Sequence, residues 1–223
     1  MSTYVLMKFL ESSGERYDRW IRLLTFGRLE KLQRRMAERI RPGDRVLDIG
    51  CGSGTFCLLA ARRGAFVKGI DISARLLAAA QEKLTAAGLT GNALLEEKGV
   101  TELDSEPENA YDWAAASLVF SELSPEEQTF ALRLIFRLLR PGGRFLFLDE
   151  VPPAAFLVRV AAAPFRFILQ GLTFLFTGGI SKPVRGVPQK FAAAGFELEW
   201  LENHNAGTLA FAICRKPEEK GHD

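Results

Sequence analysis

Gly50-Cys51-Gly52-Ser53-Gly54 follows a short apolar run, Arg45 to Gly50, and precedes a helical one. Asp48 stands just before this glycine turn, and Asp71 closes the next apolar run. Glycine lets a backbone take positive φ and approach a ligand closely. A helix starting directly behind such a turn offers unpaired N–H groups. A carboxylate at the place of Asp71 can accept both hydroxyls of a ribose. In this strand–turn–helix context the residues point to an adenosine-containing ligand. The plain structural alternative is a tight strand-to-helix turn with a helix-capping aspartate.

The spacing selects among such ligands. A dinucleotide fingerprint places a third glycine three residues after the second. Thr55 stands there, too bulky for that close helix–strand packing. The Gly-Lys-Ser/Thr of a phosphate loop is absent. Asp48 would oppose an incoming pyrophosphate, whereas a carboxylate suits a ligand with an ammonium group. S-adenosylmethionine has an amino group, a sulfonium and no phosphate, so charge favours it as the cofactor.

The run Val46-Leu47-Asp48-Ile49-Gly50-Cys51-Gly52-Ser53-Gly54 resembles motif I of the class I S-adenosylmethionine-dependent methyltransferases. Gly69-Ile70-Asp71-Ile72-Ser73, Tyr111-Asp112-Trp113 and Leu139-Arg140-Pro141-Gly142-Gly143 are similar to that family's later motifs, in the family's order. Residues 15–19 and 23–27 resemble the lead-in helix of the menaquinone/ubiquinone C-methyltransferase branch. The pattern Tyr4-Val5-Leu6-Met7-Lys8, Leu10-Glu11-Ser12, Arg16-Tyr17-Asp18-Arg19, Gly99-Val100 and Ser121-Glu122-Leu123 looks closest to corrinoid-protein-associated methyltransferases. The resemblance implies that Asp48 and the amides around Gly50, Cys51 and Gly52 hold the methionine part of the cofactor. It implies Asp71 on the ribose, Ile72 against the adenine, and Val100 and Thr101 at the adenine edge. Ser117 and Leu118 would line the sulfonium, with Tyr17 over the cofactor as part of a lid. Many relatives place an acidic residue at the adenine amino group; whether Glu102 or the Thr101 hydroxyl serves here is open.

Methyl transfer from a sulfonium is an in-line displacement that needs little acid–base help, so positioning and water exclusion supply most of the rate. A base matters only where the acceptor must lose a proton. Glu122, Asp149 and Glu150, after the fourth and fifth strands, are candidates, each with an ordinary loop or solvated reading beside it. His204 is the one histidine before the tail. A histidine titrates near neutral pH, but a lone loop histidine is commonly plain surface. Cys51 reads as a small side chain that lets the backbone close rather than as a nucleophile. No catalytic base follows from the sequence.

The elements that must carry these residues alternate. Strands are predicted over 45–50, 66–70, 94–95, 113–120 and 144–148, with helices over 55–63, 74–87 and 124–139 between them. A helix from Pro188 to Gly195 and two late strands, 196–201 and 209–214, follow. This pattern predicts an α/β fold: a doubly wound, mostly parallel seven-stranded sheet, Rossmann-like, with an antiparallel edge strand. The reading is one domain. Residues 1–41 form lead-in helices, 42–150 the cofactor-binding core, 151–195 an apolar helical lid, 196–216 a strand pair and 217–223 a loose tail. Residues 18–40 read as a basic amphipathic helix or helix pair with Leu29, Leu32, Met36 and Ile40 at helical spacing.

Composition bounds the function classes. Hydrophobic residues at 48% and charged residues at 25% exclude global disorder. Twenty-nine bases against 27 acids is too balanced for a nucleic-acid coat, and no nucleic-acid partner is expected. Three cysteines without zinc spacing and two histidines give no expected metal site. No secretory leader or spanning run is read, so the expected address is the cytoplasm. Residues 151–196 carry five bases and no acid. Within them, 154–177 reads either as a lid over the acceptor or as a helix in peripheral contact with an anionic inner-membrane surface. The expected partner is a small-molecule acceptor or a corrinoid protein. The rival readings are a non-catalytic module that binds S-adenosylmethionine for a corrinoid protein, and a nicotinamide-dependent oxidoreductase.

Overall fold

Strands β1 (Arg45–Ile49), β2 (Phe66–Asp71), β3 (Ala93–Glu97), β4 (Tyr111–Ser117), β5 (Leu139–Glu150), β6 (Glu197–His204) and β7 (Leu209–Arg215) form one seven-stranded sheet in a computed structural model. The structure describes residues 27–152, 182–204 and 207–218. The strand order is β3-β2-β1-β4-β5-β7-β6. The first five strands pair in parallel, and β7 pairs antiparallel with both β5 and β6, which supplies the expected antiparallel edge. The chain starts in the middle at β1, moves out to β3, then crosses back to β4. That reversal opens a crevice beyond the carboxyl ends of β1 and β4, where ligands of such sheets bind.

Helices α1 (Arg28–Ala37), α2 (Thr55–Ala61), α3 (Ala74–Ala86), α4 (Pro125–Leu138) and α5 (Val187–Ala193) cover both faces. Strand alternation sorts the core. Phe145 and Phe147 of β5 point into one layer with Phe120, Phe191 and Phe196 under α4 and α5. Leu146 and Leu148 point into the other, with Val46, Phe56, Phe211 and the buried Leu29, Leu32 and Met36 of α1. A sheet wetted on neither face must read as near-continuous apolar runs, as β1, β4 and β5 do.

The helix starts are sequence-encoded. Ser73 Oγ accepts from Leu76 N at 3.4 Å to open α3, the usual task of an N-cap serine. At α4, Ser124 Oγ accepts from Glu127 N at 3.2 Å while Glu127 Oε2 accepts from Ser124 N at 2.8 Å. This is a reciprocal cap, with Pro125 just inside.

The boundaries of three strands differ most from the sequence reading. β4 ends at Ser117 rather than at Phe120, because Leu118 turns to φ 60° and Phe120–Glu122 close into a 3-10 turn. β5 begins at Leu139, before Pro141-Gly142-Gly143, with a bulge in its pairing to β4. It also runs on through Asp149 and Glu150, so these two lie inside the strand. β6 extends to His204, which is therefore its last residue. Tyr17, the first part of the 18–40 helix, the apolar segment 154–177 and the tail from residue 219 lie outside the described residues. Among the described residues no helix is long and apolar enough to cross a membrane.

Candidate functional site

The glycine turn is folded around positive backbone angles: φ is 63° at Gly50, 54° at Gly52 and 74° at Gly54. A Cβ at Gly50 would overlap Val119 Cγ2, and one at Gly54 would come within 2.6 Å of Ala80 Cβ on α3. Gly52 has open space beside it. The turn is thus pressed between the β4–α4 connection and α3, with one glycine facing the crevice. Lys83 of α3 fixes it further by donating to Ser53 O at 2.9 Å.

Asp71 closes β2 and braces the turn. Its Oδ2 accepts from Gly52 N at 2.8 Å and its Oδ1 from Ser73 N at 2.9 Å. Burial raises its pKa, and these backbone donors hold it back down. Cys51 N donates to Ile70 O at 2.9 Å. Two of the three turn amides implied for the methionine part therefore already have internal partners. The turn's own contribution is shape and a close approach.

Asp48 lies beneath the turn rather than at its mouth. It is buried, and Cys57 Sγ donates to its Oδ2 at 3.1 Å. Burial first, and the nearby Asp71 carboxylate second among the raising causes, bring its pKa up to about 7. Cys51 is buried in the same layer, where Gly69 leaves room for the Cys51 and Cys57 thiols. The contact with Cys51 first, and then burial, push the Cys57 thiol well up.

Around the rim, Ile72 is 78% exposed beside Asp71, while Val100 packs into the core a few residues after β3. A large apolar side chain held in water next to a ribose-type carboxylate fits a flat adenine surface. Thr101 is exposed at the start of the 3-10 turn Val100–Ser105. Glu102 Oε1 accepts from Gly99 N at 3.0 Å, so that carboxylate caps its own turn. Ser117 ends β4 with an enclosed Oγ that has no hydrogen-bond partner among the described residues. An enclosed, unmatched hydroxyl at a strand end is what a ligand atom would satisfy. Leu118, its N–H bonded to Leu148 O at 2.8 Å, turns left-handed beside it.

The candidate bases separate. Asp149 is completely buried, contrary to a solvated reading. Its Oδ2 accepts from Phe120 N at 2.7 Å and Ser121 N at 3.3 Å, and its Oδ1 from Glu150 N at 2.7 Å. Burial brings its pKa to about 7 against those donors. Glu122 and Glu150 reach the crevice, where burial first and then the Asp71 and Glu150 charges raise the pKa of Glu122. His204 pairs with Leu209 of β7, which in turn pairs with Glu150. It therefore stands two strands out from Glu150, about 10 Å by strand spacing. Its ring sits 3.4 Å from Glu202. It is not brought to the crevice. Sequence reasoning missed Val119, whose side chain sets the height of the turn at Gly50, and Gln128, which ties the β4–α4 connection. Neither carries a local signal.

Comparison with known proteins agrees with this geometry. The model of the methyltransferase domain family matches residues 46–143. A demethylmenaquinone methyltransferase of Symbiobacterium thermophilum is 29% identical over 173 residues, covering 75% of this chain and 66% of that protein. A ubiquinone/menaquinone biosynthesis C-methyltransferase of Pseudoalteromonas translucida is 32% identical over 148 residues, covering 64% of this chain and 57% of that protein. The chain thus spans less than two thirds of the length of either relative. A crystal structure of an S-adenosylmethionine-dependent methyltransferase of Methanosarcina mazei superposes with TM-score 0.65 at 20% identity, over 82% of this chain and 97% of that one. At that identity it speaks for the fold. The glycine turn braced by Asp71, the strand order and the match on residues 46–143 together give this chain the Rossmann-like fold of the S-adenosylmethionine-dependent methyltransferases that it is similar to.

Proposed function

We propose that the protein transfers the methyl group of S-adenosylmethionine to a small, lipophilic acceptor of the quinol type. The observation that carries the reading is the crevice at the β1/β4 reversal. One wall is the glycine turn and Asp71 with the exposed Ile72; the other is the β4 and β5 ends with Ser117, Glu122 and Glu150. The names of the two relatives supply the acceptor class.

When bound, the cofactor supplies an electrophilic methyl on a sulfonium. The chain's part is to orient it and to present the acceptor in line. Asp71 would hold the ribose hydroxyls, with Gly52 N as its present partner. Ile72 and Val100 would hold the adenine, and Ser117 and Leu118 the sulfonium end. Asp48, buried beneath the turn, would act on the amino group through charge rather than by direct contact. Carboxylates on both sides favour the cationic cofactor over its uncharged-sulfur product, S-adenosylhomocysteine.

The test is incubation with S-adenosylmethionine and a dithionite-reduced prenylated naphthoquinol, with mass spectrometry of the product. A gain of one methyl on the ring supports the reading. Binding of the cofactor without any methylated quinol refutes the acceptor class. A second reading, partnership with a corrinoid protein, rests on the run Ser121-Glu122-Leu123 and the N-terminal pattern; methylation of reduced cobalamin, followed by its visible spectrum, tests it. Peripheral contact of residues 154–177 with membranes would appear as salt-sensitive co-sedimentation with anionic liposomes, and no co-sedimentation at low salt would refute it.

A further inference from the structure

We propose that Glu122 is the catalytic base of the acceptor site, the carboxylate that takes the hydroxyl proton of a quinol-type acceptor during methyl transfer. This deepens the methyl-transfer reading above and rests on it.

The argument starts with the turn that carries Glu122. Phe120–Glu122 follows the left-handed Leu118 at the end of β4 and leads directly to the α4 cap. Its backbone is held from three directions. From β5, Asp149 takes Phe120 N and Ser121 N. From α4, the buried Gln128 donates through Nε2 to Phe120 O at 2.7 Å and Leu123 O at 3.1 Å. From the segment before α5, Lys182 N donates to Ser121 O at 2.7 Å. Two buried polar side chains thus spend hydrogen bonds on this one short turn. Such over-determination is how a structure fixes a functional group within the tolerance that chemistry demands.

Within that turn Phe120 and Ser121 point inward and are buried, and Glu122 is the residue left facing outward. Its carboxylate lies within electrostatic reach of Asp71 at the end of β2 and of Glu150 at the end of β5, on the side of the sheet where the strands' carboxyl ends lie. Among the described residues no cation pairs with it, and Asp149 behind it is fully engaged with backbone donors. Partial enclosure first, and then the like charges of Asp71 and Glu150, make this carboxylate hold a proton more tightly than usual.

The chemistry balances. Glu122 takes the O–H proton of the quinol, and the resulting oxyanion makes the adjacent ring carbon nucleophilic. That carbon bonds the methyl as the S–CH3 bond breaks, its electron pair staying on sulfur. Loss of the ring C–H proton to solvent then restores the aromatic ring as a phenolate, and Glu122 returns its proton to that oxygen, so that one proton is released overall. Asp149 and Gln128 are positioning residues, acting through the turn.

The experiment compares wild type with Glu122→Gln, Glu122→Asp and Asp149→Asn, using the prenylated naphthoquinol as acceptor. It reads kcat and KM from pH 5.5 to 9, the S-adenosylmethionine Kd by calorimetry, and Tm. In wild type, kcat/KM is expected to fall on the acid side through one ionisation above the ordinary carboxylate range. Glu122→Gln should lose roughly 100-fold or more in kcat and lose that limb. Its cofactor Kd should stay within about twofold. Glu122→Asp should keep the limb at reduced rate, and Asp149→Asn should lower kcat while keeping a limb. A Glu122→Gln enzyme within about threefold of wild type, with the limb intact, overturns the proposal alone. So does a loss matched by an equal loss of cofactor binding. Wild type that binds cofactor but never methylates the quinol overturns the parent reading and this one with it.

Discussion

Gly50→Ala and Gly52→Ala share a backbone problem and differ in everything else. The two glycines have φ of 63° and 54°. An L residue held in that left-handed region costs about 1–2 kcal/mol. At Gly50 a methyl would also overlap Val119 Cγ2, and Val119 cannot retreat freely, because Phe120 N next to it is fixed to Asp149. Overpacking of this kind adds about 1–3 kcal/mol. The sum for Gly50→Ala is about 2–5 kcal/mol, which for a domain of this size lowers Tm by at least about 4 °C. Gly52→Ala meets no atom within 4 Å and should lower Tm by half as much or less. Its methyl instead fills the crevice and should weaken S-adenosylmethionine binding by about tenfold or more. Differential scanning fluorimetry and calorimetric titration of the two variants read both quantities. Equal Tm losses would refute the claim that Val119 sets the height of the turn. Unchanged cofactor affinity in Gly52→Ala would show that the open space beside Gly52 is not the cofactor's.

Other substitutions test the remaining contacts. Asp71→Ala removes the brace on Gly52 N and Ser73 N. Calorimetry should find S-adenosylmethionine affinity reduced by about tenfold or more, and wild-type affinity would remove Asp71 from the site. The pKa of Asp48 is about 7 in the fold against the ordinary 3.8. The folded state therefore holds its proton longer, and stability falls as pH rises through that window. Asp48→Asn cannot ionise, and above pH 7 it should gain about 1–2 kcal/mol, a Tm rise of about 2–8 °C that disappears below pH 4. A gain that is the same at both pH values would refute the buried-charge account. Ser124→Ala loses one half of the α4 cap. It should cost about 1 kcal/mol and about 2–4 °C in thermal melts, without touching cofactor affinity.

The glycine turn and its Asp71 brace were legible in the sequence because their residues are local. Gly50, Gly52 and Gly54 mark a turn by type, and Asp71 marks a strand end by spacing. The acceptor half was not. Val119 and Phe120 extend the apolar run of β4 without a break, and no periodicity distinguishes a buried strand from a buried 3-10 turn. Asp149 looked like a charge ending a strand. Its partners lie 28 and 29 residues earlier in the chain, joined only by the β4–β5 pairing, so nothing in its neighbourhood announces them. The unexposed position of Asp48 was hidden for the same reason. A carboxylate in a strand reads as facing a ligand until the thiol of Cys57 is found under it.

The placement of β7 has a consequence for how the sheet is made. Of the seven strands β7 is the last to leave the ribosome, yet it lies inside the sheet, buried along nearly its whole length between β5 and β6. Until residues 209–215 emerge, the flank of β5 is an open row of hydrogen-bonding groups with Phe145 to Leu148 along it, and β6 has no β7 to pair with. The sheet is therefore completed by an insertion rather than an addition. A chain stopped after His204 would have its cofactor turn and β1–β5 in place and an aggregation-prone edge exposed.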